Sequence, residues 1–150
     1  MISIFELSSL TKLQISDILA LMGELDPEIN VSPEMIEAVV QAEGSHLFVA
    51  AEGDAKSGSE HIVGCATLCV YESPTGRKAS VEDVVVSSAY RGQHIGRKLM
   101  EHVILFARKN LVNVDLCLTS RPHRVAANNL YNSLGFRRKE TNVYKMSIGQ

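Results

Sequence analysis

The sequence predicts an α/β fold of the α+β type, in which a mixed, mostly antiparallel twisted sheet of six to seven strands is flanked by about four helices. Two observations lead to this prediction. Three apolar runs follow one another near the middle of the chain with only short turns between them, which is typical of an antiparallel meander. The last run leads through a glycine-bearing loop into an amphipathic helix, which predicts a crossover to a parallel strand.

The size of the chain favours one structural unit. Its 150 residues, of which 45% are hydrophobic, suffice for a compact domain with a sizeable core. The sequence contains no internal repeat and no linker-like stretch between two apolar regions. We therefore expect residues 1–150 to form a single domain.

The N-terminal part predicts one strand and two helices. Residues 2–7 alternate as a strand does, and residues 8–25 form a helix because two serines offer caps and apolar residues recur at helical spacing. An acidic loop containing Pro27 follows. Residues 32–44 begin with Ser-Pro-Glu and end at a glycine. This start supplies a capping hydroxyl, a proline at the first helical position and an acid in the first turn.

The meander occupies the middle of the chain. Residues 46–52 and 62–71 are apolar runs, and the Gly, Ser and charged residues of 53–60 predict an exposed hairpin turn between them. A second turn, S-P-T-G-R-K, leads into the fourth strand, which begins at Val81. These three strands should pair as antiparallel neighbours.

Residues 81–100 predict a strand, a loop and a helix that together bind phosphate. The N–H groups in the first turn of such a helix lack intrahelical partners, and with the helix dipole they attract an anion. Two glycines allow the anion to approach closely, and three basic residues add positive charge. These residues are Gly92, Gly96, Arg91, Arg97 and Lys98. A Walker loop is excluded because no Gly-Lys-Ser/Thr ending is present, and the dinucleotide fingerprint has other glycine spacings.

The C-terminal part predicts two strands and a short helix. Residues 112–120 should form a fifth strand, parallel to the fourth through a right-handed crossover. Residues 124–134 form a helix that ends at Gly135, and residues 141–148 form a last hairpin strand.

Composition excludes several classes of function. Only 5% of residues are aromatic, and the basic residues are not interleaved with aromatic ones, so nucleic-acid binding is not expected. The first residues lack the pattern of a signal peptide, and no apolar run is long enough to span a bilayer. Cys65, Cys69 and Cys117 lack a metal-ligand spacing. We therefore expect a cytoplasmic protein without a metal and without membrane association.

Charge is distributed unevenly along the chain. Residues 1–60 hold 11 of the 17 acidic residues and two of the 15 basic ones, so this part carries −9 and the remainder carries +7. The basic part contains the phosphate loop and suits a polyanionic cofactor. The acidic part can raise the local concentration of a cationic amine. The alternative interpretation is that both parts are solvated surfaces.

Two motifs resemble those of the GNAT acetyltransferases. The first resembles their acyl-coenzyme-A-binding motif, Gln/Arg-x-x-Gly-x-Gly/Ala, which Arg91 and Gly96 match while His94 replaces the internal glycine. We expect His94 to be a solvent-facing residue of the first turn with an ordinary helical backbone. The alternatives are that its Cβ moves the pyrophosphate outward or that its ring donates a hydrogen bond to a phosphate.

The second motif resembles the family signature Ala-x-x-x-Tyr-x-x-x-Gly-Phe. The matching residues are Ala127, Tyr131, Gly135 and Phe136. Arg124 stands where the family often has Asn, and it can reach a phosphate as readily. With this second motif the resemblance covers nearly the whole chain in element order.

The resemblance implies an acetyl-coenzyme-A-dependent N-acetyltransferase. The amine of a small molecule, or an exposed protein amine, would attack the thioester directly in a ternary complex, with Tyr131 as the general acid and Glu82 as the base. A bulge in the fourth strand would free backbone N–H groups for the pantetheine arm. The residues implied at the cofactor are Val84, Val85, Val86, Arg91, Gly92, Gln93, His94, Ile95, Gly96, Arg97, Lys98, Arg124, Asn128 and Tyr131. Homodimers are common in such proteins.

The acceptor site is implied by the same resemblance. Its residues are expected among Glu28, Asn30, Glu82 and Asp83, with Glu24 and Asp26 as further amine contacts in the first loop. Adjacent residues of a strand point to opposite faces, so only one of Glu82 and Asp83 faces the acceptor unless a bulge intervenes.

Three other interpretations stay open. The first is a GNAT-fold protein that binds acyl-coenzyme A as a sensor and has little turnover. The second is an unrelated α/β protein that binds another phosphate ligand. The third retains the enzyme but passes the acyl group through Cys117, which lies on the fifth predicted strand. Direct transfer is preferred because no His or acid is evidently paired with that thiol.

Overall fold

The computed structural model describes residues 1–54, 56–57 and 59–149. These residues form two compact units, of which the first spans Met1–Leu118 and the second begins at Thr119. The first unit holds the sheet and three helices, and the second holds one helix. The expected single domain is a statement about the whole chain and stays a prediction.

The first unit follows the predicted order of elements. A strand and two helices come first, then a three-strand meander, a short 3₁₀ turn, a third helix and a last short strand. The bounds are β1 (Ile2–Glu6), α1 (Lys12–Leu25), α2 (Pro33–Gln41), β2 (Ser45–Glu52), β3 (His61–Ser73), β4 (Gly76–Val86), the 3₁₀ turn (Ser88–Tyr90), α3 (Ile95–Asn110) and β5 (Leu116–Cys117).

The five strands form one sheet in the order β1-β2-β3-β4-β5. The first four strands pair antiparallel, and β5 joins β4 in parallel, which confirms the mixed sheet, the meander and the crossover. The strand count is lower than the six to seven predicted. Residues 141–148 form no strand, because their alternating pattern has no hydrogen-bonded partner strand within the described chain. The side chain of Tyr144 in that segment is 89% exposed.

The sheet carries helices on both faces. Leu47 and Val49 of β2 belong to a buried cluster with side chains of α1 and α2. Phe48 lies between them in sequence and contacts the rings of His102 and Phe106 on α3, with ring centroids 5.4 and 5.2 Å away. Because side chains alternate along a strand, α3 covers the face opposite to α1 and α2.

Local capping determines where α1 and α2 begin. The hydroxyl of Thr11 accepts a hydrogen bond from the Gln14 backbone N–H at 3.1 Å, so the cap of α1 lies two to three residues later than the predicted caps Ser8 and Ser9. Ser32 caps α2 as predicted, accepting from the Met35 N–H at 3.3 Å.

In the described part of the chain, no helix combines the length and apolar character that crossing a bilayer requires.

The second unit contains the fourth predicted helix, α4 (Val125–Ser133). The N–H of Phe136 donates to the carbonyl oxygen of Tyr131 at 3.0 Å across the end of this helix. Gly135 lies between them with φ of 100°, a left-handed conformation that glycine adopts without steric cost. The rings of Tyr131 and Phe136 then meet edge to face, with centroids 6.1 Å apart.

Candidate active site

A β-bulge interrupts the pairing of β4 with β3. Glu82 pairs with Thr67 and Val85 pairs with Cys65, so two residues of β4, Asp83 and Val84, stand opposite one residue of β3. Asp83 has φ of 53°. A left-handed first residue is the mark of the G1 type of bulge, and Asp tolerates this conformation better than most residues. The bulge implied by the resemblance is therefore present, beginning at Asp83.

Beyond the start of β4, the sheet opens on the side of β5. The two strands pair only at Ala79 with Leu116 and at Ser80 with Cys117. Residues 81–86 have no strand on this side within the described chain. Backbone polar groups along an unpaired edge are available to a ligand that lies against the strand. This edge includes the backbone of Val84, Val85 and Val86.

The loop after β4 turns into α3 through two left-handed residues. Gly92 has φ of 83° and His94, the N-cap of α3, has φ of 60° with no side-chain capping bond. The expected helical backbone of His94 is therefore wrong. Its C=O accepts the first helical bond, from the Lys98 N–H at 3.1 Å, so the N–H groups of Ile95 and Gly96 at the start of α3 stay without intrahelical partners.

The left-handed conformation at His94 has a steric cost. The chain is extended at Arg91, with φ of −64° and ψ of 150°, and becomes helical at Ile95. A left-handed residue costs about 1–2 kcal/mol unless it is glycine. His is one of the few other residue types enriched in this conformation. His94 is exposed and directly precedes the first turn of α3.

Polar contacts fix the entrance to this loop. The Glu24 carboxylate accepts from the Ser88 backbone N–H at 3.0 Å, and hydrogen bonds from Ser88 hold the pKa of this carboxyl below its ordinary value, with Arg91 as a weaker cause. The Tyr90 hydroxyl donates to the Glu52 carboxylate, and that contact raises the phenol pKa.

The basic residues of the loop differ in their surroundings. Arg91 and Lys98 are exposed. The Arg97 guanidinium donates to Glu101 one turn further along α3, at 2.9 Å. Gln93 is exposed and Gly96 is partly exposed. The loop therefore combines positive charge with backbone donors at the start of α3.

Both acidic residues of β4 act on the same face of the sheet. Cross-strand partners share a face, so Glu82 lies beside Thr67. Burial raises the pKa of the Cys65 thiol to about 12, with the Asp83 charge as a second cause. Burial also raises the pKa of Cys69, and the charges of both Glu82 and Asp83 add to that effect. Strand alternation lets only one of Glu82 and Asp83 face the acceptor unless a bulge intervenes, and such a bulge is present at Asp83.

An apolar cavity of about 180 Å³ lies between α1, α2 and this face of the sheet. Asp26 and Asp83 line it, whereas Glu28 and Asn30 are exposed and are not among its lining residues. Asp26 also accepts the Glu28 backbone N–H at 3.0 Å. The remaining wall residues are Ile18, Met22, Leu25, Ile29, Val31, Met35, Ile36, Val39, Leu47, Cys65 and Thr67.

Sequence reasoning missed this cavity. Its apolar residues carry the same helical and strand periodicity as core residues, so only their arrangement in space distinguishes a cavity from a filled core. One signal was available, because Ile29 and Val31 are apolar within a loop whose other residues are mostly acidic or polar.

The second unit carries the remaining predicted site residues. Tyr131 is 8% exposed, and burial raises its phenol pKa while the charge of Arg124 opposes the rise. The Asn128 side-chain amide donates to the Arg121 carbonyl at 3.0 Å. Arg124 is the N-cap residue of α4. The phenol of Tyr131 therefore keeps its proton at neutral pH.

The three cysteines form no disulfide in the described part of the chain. Cys65, Cys69 and Cys117 are free cysteines. No group of three or more His, Cys, Asp or Glu side chains that could hold a metal ion occurs within the described ranges.

The chain belongs to the GNAT acetyltransferase family. Residues 43–138, more than half of the chain, match the model of the acetyltransferase (GNAT) domain. This range includes the bulged strand, the loop into α3 and α4.

Two curated relatives from Rattus norvegicus are N-acetyltransferases by name. The chain is 35% identical to N-acetyltransferase family 8 member 2 over 97 residues, which are 64% of this chain and 42% of that protein. It is 32% identical to N-acetyltransferase 8B over 107 residues, which are 70% of this chain and 45% of that protein. The matched region thus spans less than half of the length of these relatives.

Solved structures share the fold. A putative acetyltransferase from Agrobacterium tumefaciens has a TM-score of 0.79 at 24% identity, covering 97% of this chain and 99% of that one. Glucosamine-6-phosphate N-acetyltransferase from Arabidopsis thaliana has 0.72 at 21%, covering 97% and 98%. Aminoglycoside N-acetyltransferase AAC(6')-Iy in complex with CoA has 0.75 at 15%, covering 98% and 95%.

Proposed function

We propose that this protein is an acetyl-coenzyme-A-dependent N-acetyltransferase that acetylates a primary amine by direct attack in a ternary complex. One observation carries the proposal. The bulged part of β4 has an unpaired edge, and the strand continues directly into a loop with two left-handed residues at the start of α3. Backbone donors for an extended arm and for a phosphate thus follow each other along one stretch of chain.

The residues present fit coenzyme A. The first-turn N–H groups at Ile95 and Gly96 would hold the pyrophosphate, with positive charge from Arg91 and Lys98. The unpaired edge at residues 84–86 would hydrogen-bond the pantetheine arm. When bound, acetyl-coenzyme A supplies the activated acetyl group. A neighbour of the same fold is in complex with CoA, which supports this assignment.

Glu82 is proposed as the base that prepares the amine. An alkyl amine has a pKa of about 10.4 in water, so it must lose a proton before it can attack. Glu82 lies on the bulged strand, on the face that carries the cavity, and can accept this proton directly or through water. Asp83 lines the cavity and would hold the ammonium form before the proton is lost.

Tyr131 is proposed as the acid that protonates the departing thiolate. A phenol whose pKa lies above its ordinary value of about 10 is protonated at neutral pH and can donate, although the rise makes proton transfer to a thiolate less favourable. Transfer through a cysteine is not part of this proposal. Cys65 is protonated at neutral pH because its thiol pKa is about 12, and Cys117 has no paired base in our assignment.

Calorimetric titration with acetyl-coenzyme A, and separately with coenzyme A, tests the cofactor site. We expect micromolar binding that Arg91→Glu weakens by about tenfold, because a charge next to the phosphates is reversed. Lys109→Glu is the matched control, since it makes the same change at the other end of α3 and should leave binding within about twofold. Absence of binding in the wild type contradicts the proposal.

Release of coenzyme A with a panel of amines tests turnover. If the protein binds acetyl-coenzyme A but releases coenzyme A with none of the amines, the second candidate, an acyl-coenzyme-A sensor, is favoured. The observation behind that candidate is the side chain of His94, which stands at the anion site in place of a glycine. A cytoplasmic location and a homodimer stay predictions from the sequence.

A further inference from the structure

We infer that the acceptor is a primary amine carried on a compact apolar body, which occupies the cavity between α1, α2 and the sheet. This inference rests on the proposed acetyltransferase function and names the substrate class of the same site. Three features of the cavity carry it, namely its apolar walls, its size and the sign of its charges.

Most of the wall residues are apolar, both at the floor and at the rim. Ile18, Ile36 and Cys65 form a floor of buried side chains. At the rim, Ile29 is 55% exposed and Met35 is 50% exposed, although both line the cavity. Large apolar side chains at the mouth of an apolar cavity are covered when an apolar ligand binds, and this burial favours binding. A sugar has little apolar surface to bury against these walls, and a polyamine would have to place its second ammonium group among apolar side chains.

The size of the cavity limits the body of the ligand. An apolar cavity of about 150 Å³ in another protein stays dry and binds one benzene molecule. The cavity here, of about 180 Å³, therefore accommodates one six-membered ring or a branched alkyl group of similar volume. Larger bodies would have to project past Ile29 and Met35 into solvent.

The charges of the cavity select the amine end. Among the described lining residues only Asp26 and Asp83 are charged, and both are acidic. Asp83 is adjacent to Glu82 on the bulged strand, so an ammonium group held by Asp83 lies next to the proposed base. An apolar carboxylic acid or phosphate would meet these charges unfavourably.

A series of amines tests the inference through coenzyme A release. We expect kcat/KM to rise by about fourfold for each methylene from ethylamine to pentylamine, because each buried methylene contributes a constant increment. 2-Phenylethylamine should be among the best acceptors, and ethanolamine and 1,4-diaminobutane among the poorest. A peptide with an N-terminal Phe serves as a second source of the same chemistry. Preference for the free amine or for the peptide identifies the source, and either supports the inference.

Two variants test the location of the apolar body. Met35→Lys places a cation at the rim and should lower kcat/KM for 2-phenylethylamine by about tenfold. Ala38→Lys is the matched control, since Ala38 is exposed on the same helix and is not among the lining residues. That control should change kcat/KM by less than about twofold.

Direct binding separates failure of the inference from failure of the proposed function. NMR titration with 2-phenylethylamine and 2-phenylethanol, without acetyl-coenzyme A, should shift signals of residues around Met35. Asp83→Asn should weaken binding of the amine and leave binding of the alcohol unchanged. Coenzyme A release that favours ethanolamine over 2-phenylethylamine would overturn the inference and leave the acetyltransferase intact. If the wild-type protein does not bind acetyl-coenzyme A in calorimetric titration, the proposed acetyltransferase function is refuted instead.

Discussion

The carboxylate of Glu24 accepts a hydrogen bond from the backbone N–H of Ser88 at 3.0 Å. Glu24 lies near the end of α1, which forms one wall of the cavity, and Ser88 begins the 3₁₀ turn that leads into the phosphate loop. One hydrogen bond to a charged acceptor therefore connects the proposed acceptor site with the proposed cofactor site.

Glu24→Gln should loosen this connection. The Ser88 N–H loses a charged acceptor, so we expect acetyl-coenzyme A binding to weaken by a few fold in calorimetric titration. Glu37→Gln is the control, because Glu37 is an exposed acid on α2 and is not among the lining residues. Equal affinities for both variants and the wild type would show that the contact does not organise the loop.

The pH dependence of stability follows from the lowered pKa of Glu24. A carboxyl whose pKa is lower in the folded protein contributes stability above its unfolded pKa, which is about 4.3. That contribution is lost as the pH falls through the folded pKa. The free energy of unfolding should therefore be higher in the wild type than in Glu24→Gln at pH 7, and the difference should shrink in acid. Denaturant titrations at pH 3 and pH 7 measure this difference.

Sequence reasoning predicted most of the fold because the relevant signals are local. Ser32 before Pro33 identified the start of α2, and apolar spacing after Ile95 identified α3. It failed where the outcome depends on distant partners. Residues 141–148 alternate as a strand does, but a strand forms only against another strand, and none pairs with this segment in the described chain.

For the candidate site, the sequence predicts a location but not its geometry. The left-handed conformations of Asp83 and His94 depend on the path of the chain that follows each residue. The residue types alone do not predict them. The single bulge at Asp83 brings its side chain to the face that strand alternation assigned to Glu82 alone. Asp26 is expected near the acceptor from its place in the first loop, whereas the apolar cavity that it lines together with Asp83 emerged only from the structure.

His94→Gly should stabilise the protein. Glycine adopts φ of 60° without the steric cost that His pays, so we expect the free energy of unfolding to rise by about 0.5–1 kcal/mol. His94→Asn should be nearly neutral and His94→Ala destabilising, since Asn tolerates this conformation and Ala does not. Urea denaturation of the three variants measures the order. A glycine variant less stable than the alanine variant would contradict the left-handed assignment.

The same variants decide what the ring of His94 does. If the ring donates to a phosphate, His94→Gly binds acetyl-coenzyme A more weakly than the wild type. If the Cβ displaces the pyrophosphate, the glycine variant binds more tightly, because the anion can approach the first turn of α3. Calorimetric titration distinguishes these outcomes.

Glu82→Gln should lower kcat/KM for the amine by about a hundredfold while leaving acetyl-coenzyme A affinity unchanged. The amide cannot accept the proton, so the acidic limb of the pH–rate profile that reports the base should also disappear. Asp83→Asn should instead raise KM for the amine, because Asp83 is proposed to hold the ammonium form. Glu72→Gln, at an exposed acid of β3 paired with Arg77, is the control. A full rate in Glu82→Gln would remove Glu82 from the mechanism.

Tyr131→Phe should lower turnover and leave acetyl-coenzyme A affinity nearly unchanged. The phenyl ring preserves the edge-to-face contact with Phe136, so the variant should fold while lacking only the hydroxyl. Loss of a positioned acid typically costs a factor of 10² or more in rate, but a thiolate is a good leaving group, so we expect about tenfold. Pre-steady-state measurement of coenzyme A release with saturating amine gives this rate. Tyr144→Phe is the control, because that side chain is 89% exposed.

Stability at high pH provides a second readout for Tyr131 that does not depend on catalysis. Burial raises its phenol pKa in the folded protein, so the contribution of the neutral phenol is fully present below the unfolded pKa of about 10. As the pH rises through the folded pKa that contribution is lost, and the wild type should lose stability relative to Tyr131→Phe. If Tyr131→Phe is slower and the wild type loses stability relative to it at high pH, Tyr131 is supported as a buried general acid. An unchanged rate with the same pattern would leave Tyr131 as a packing residue only.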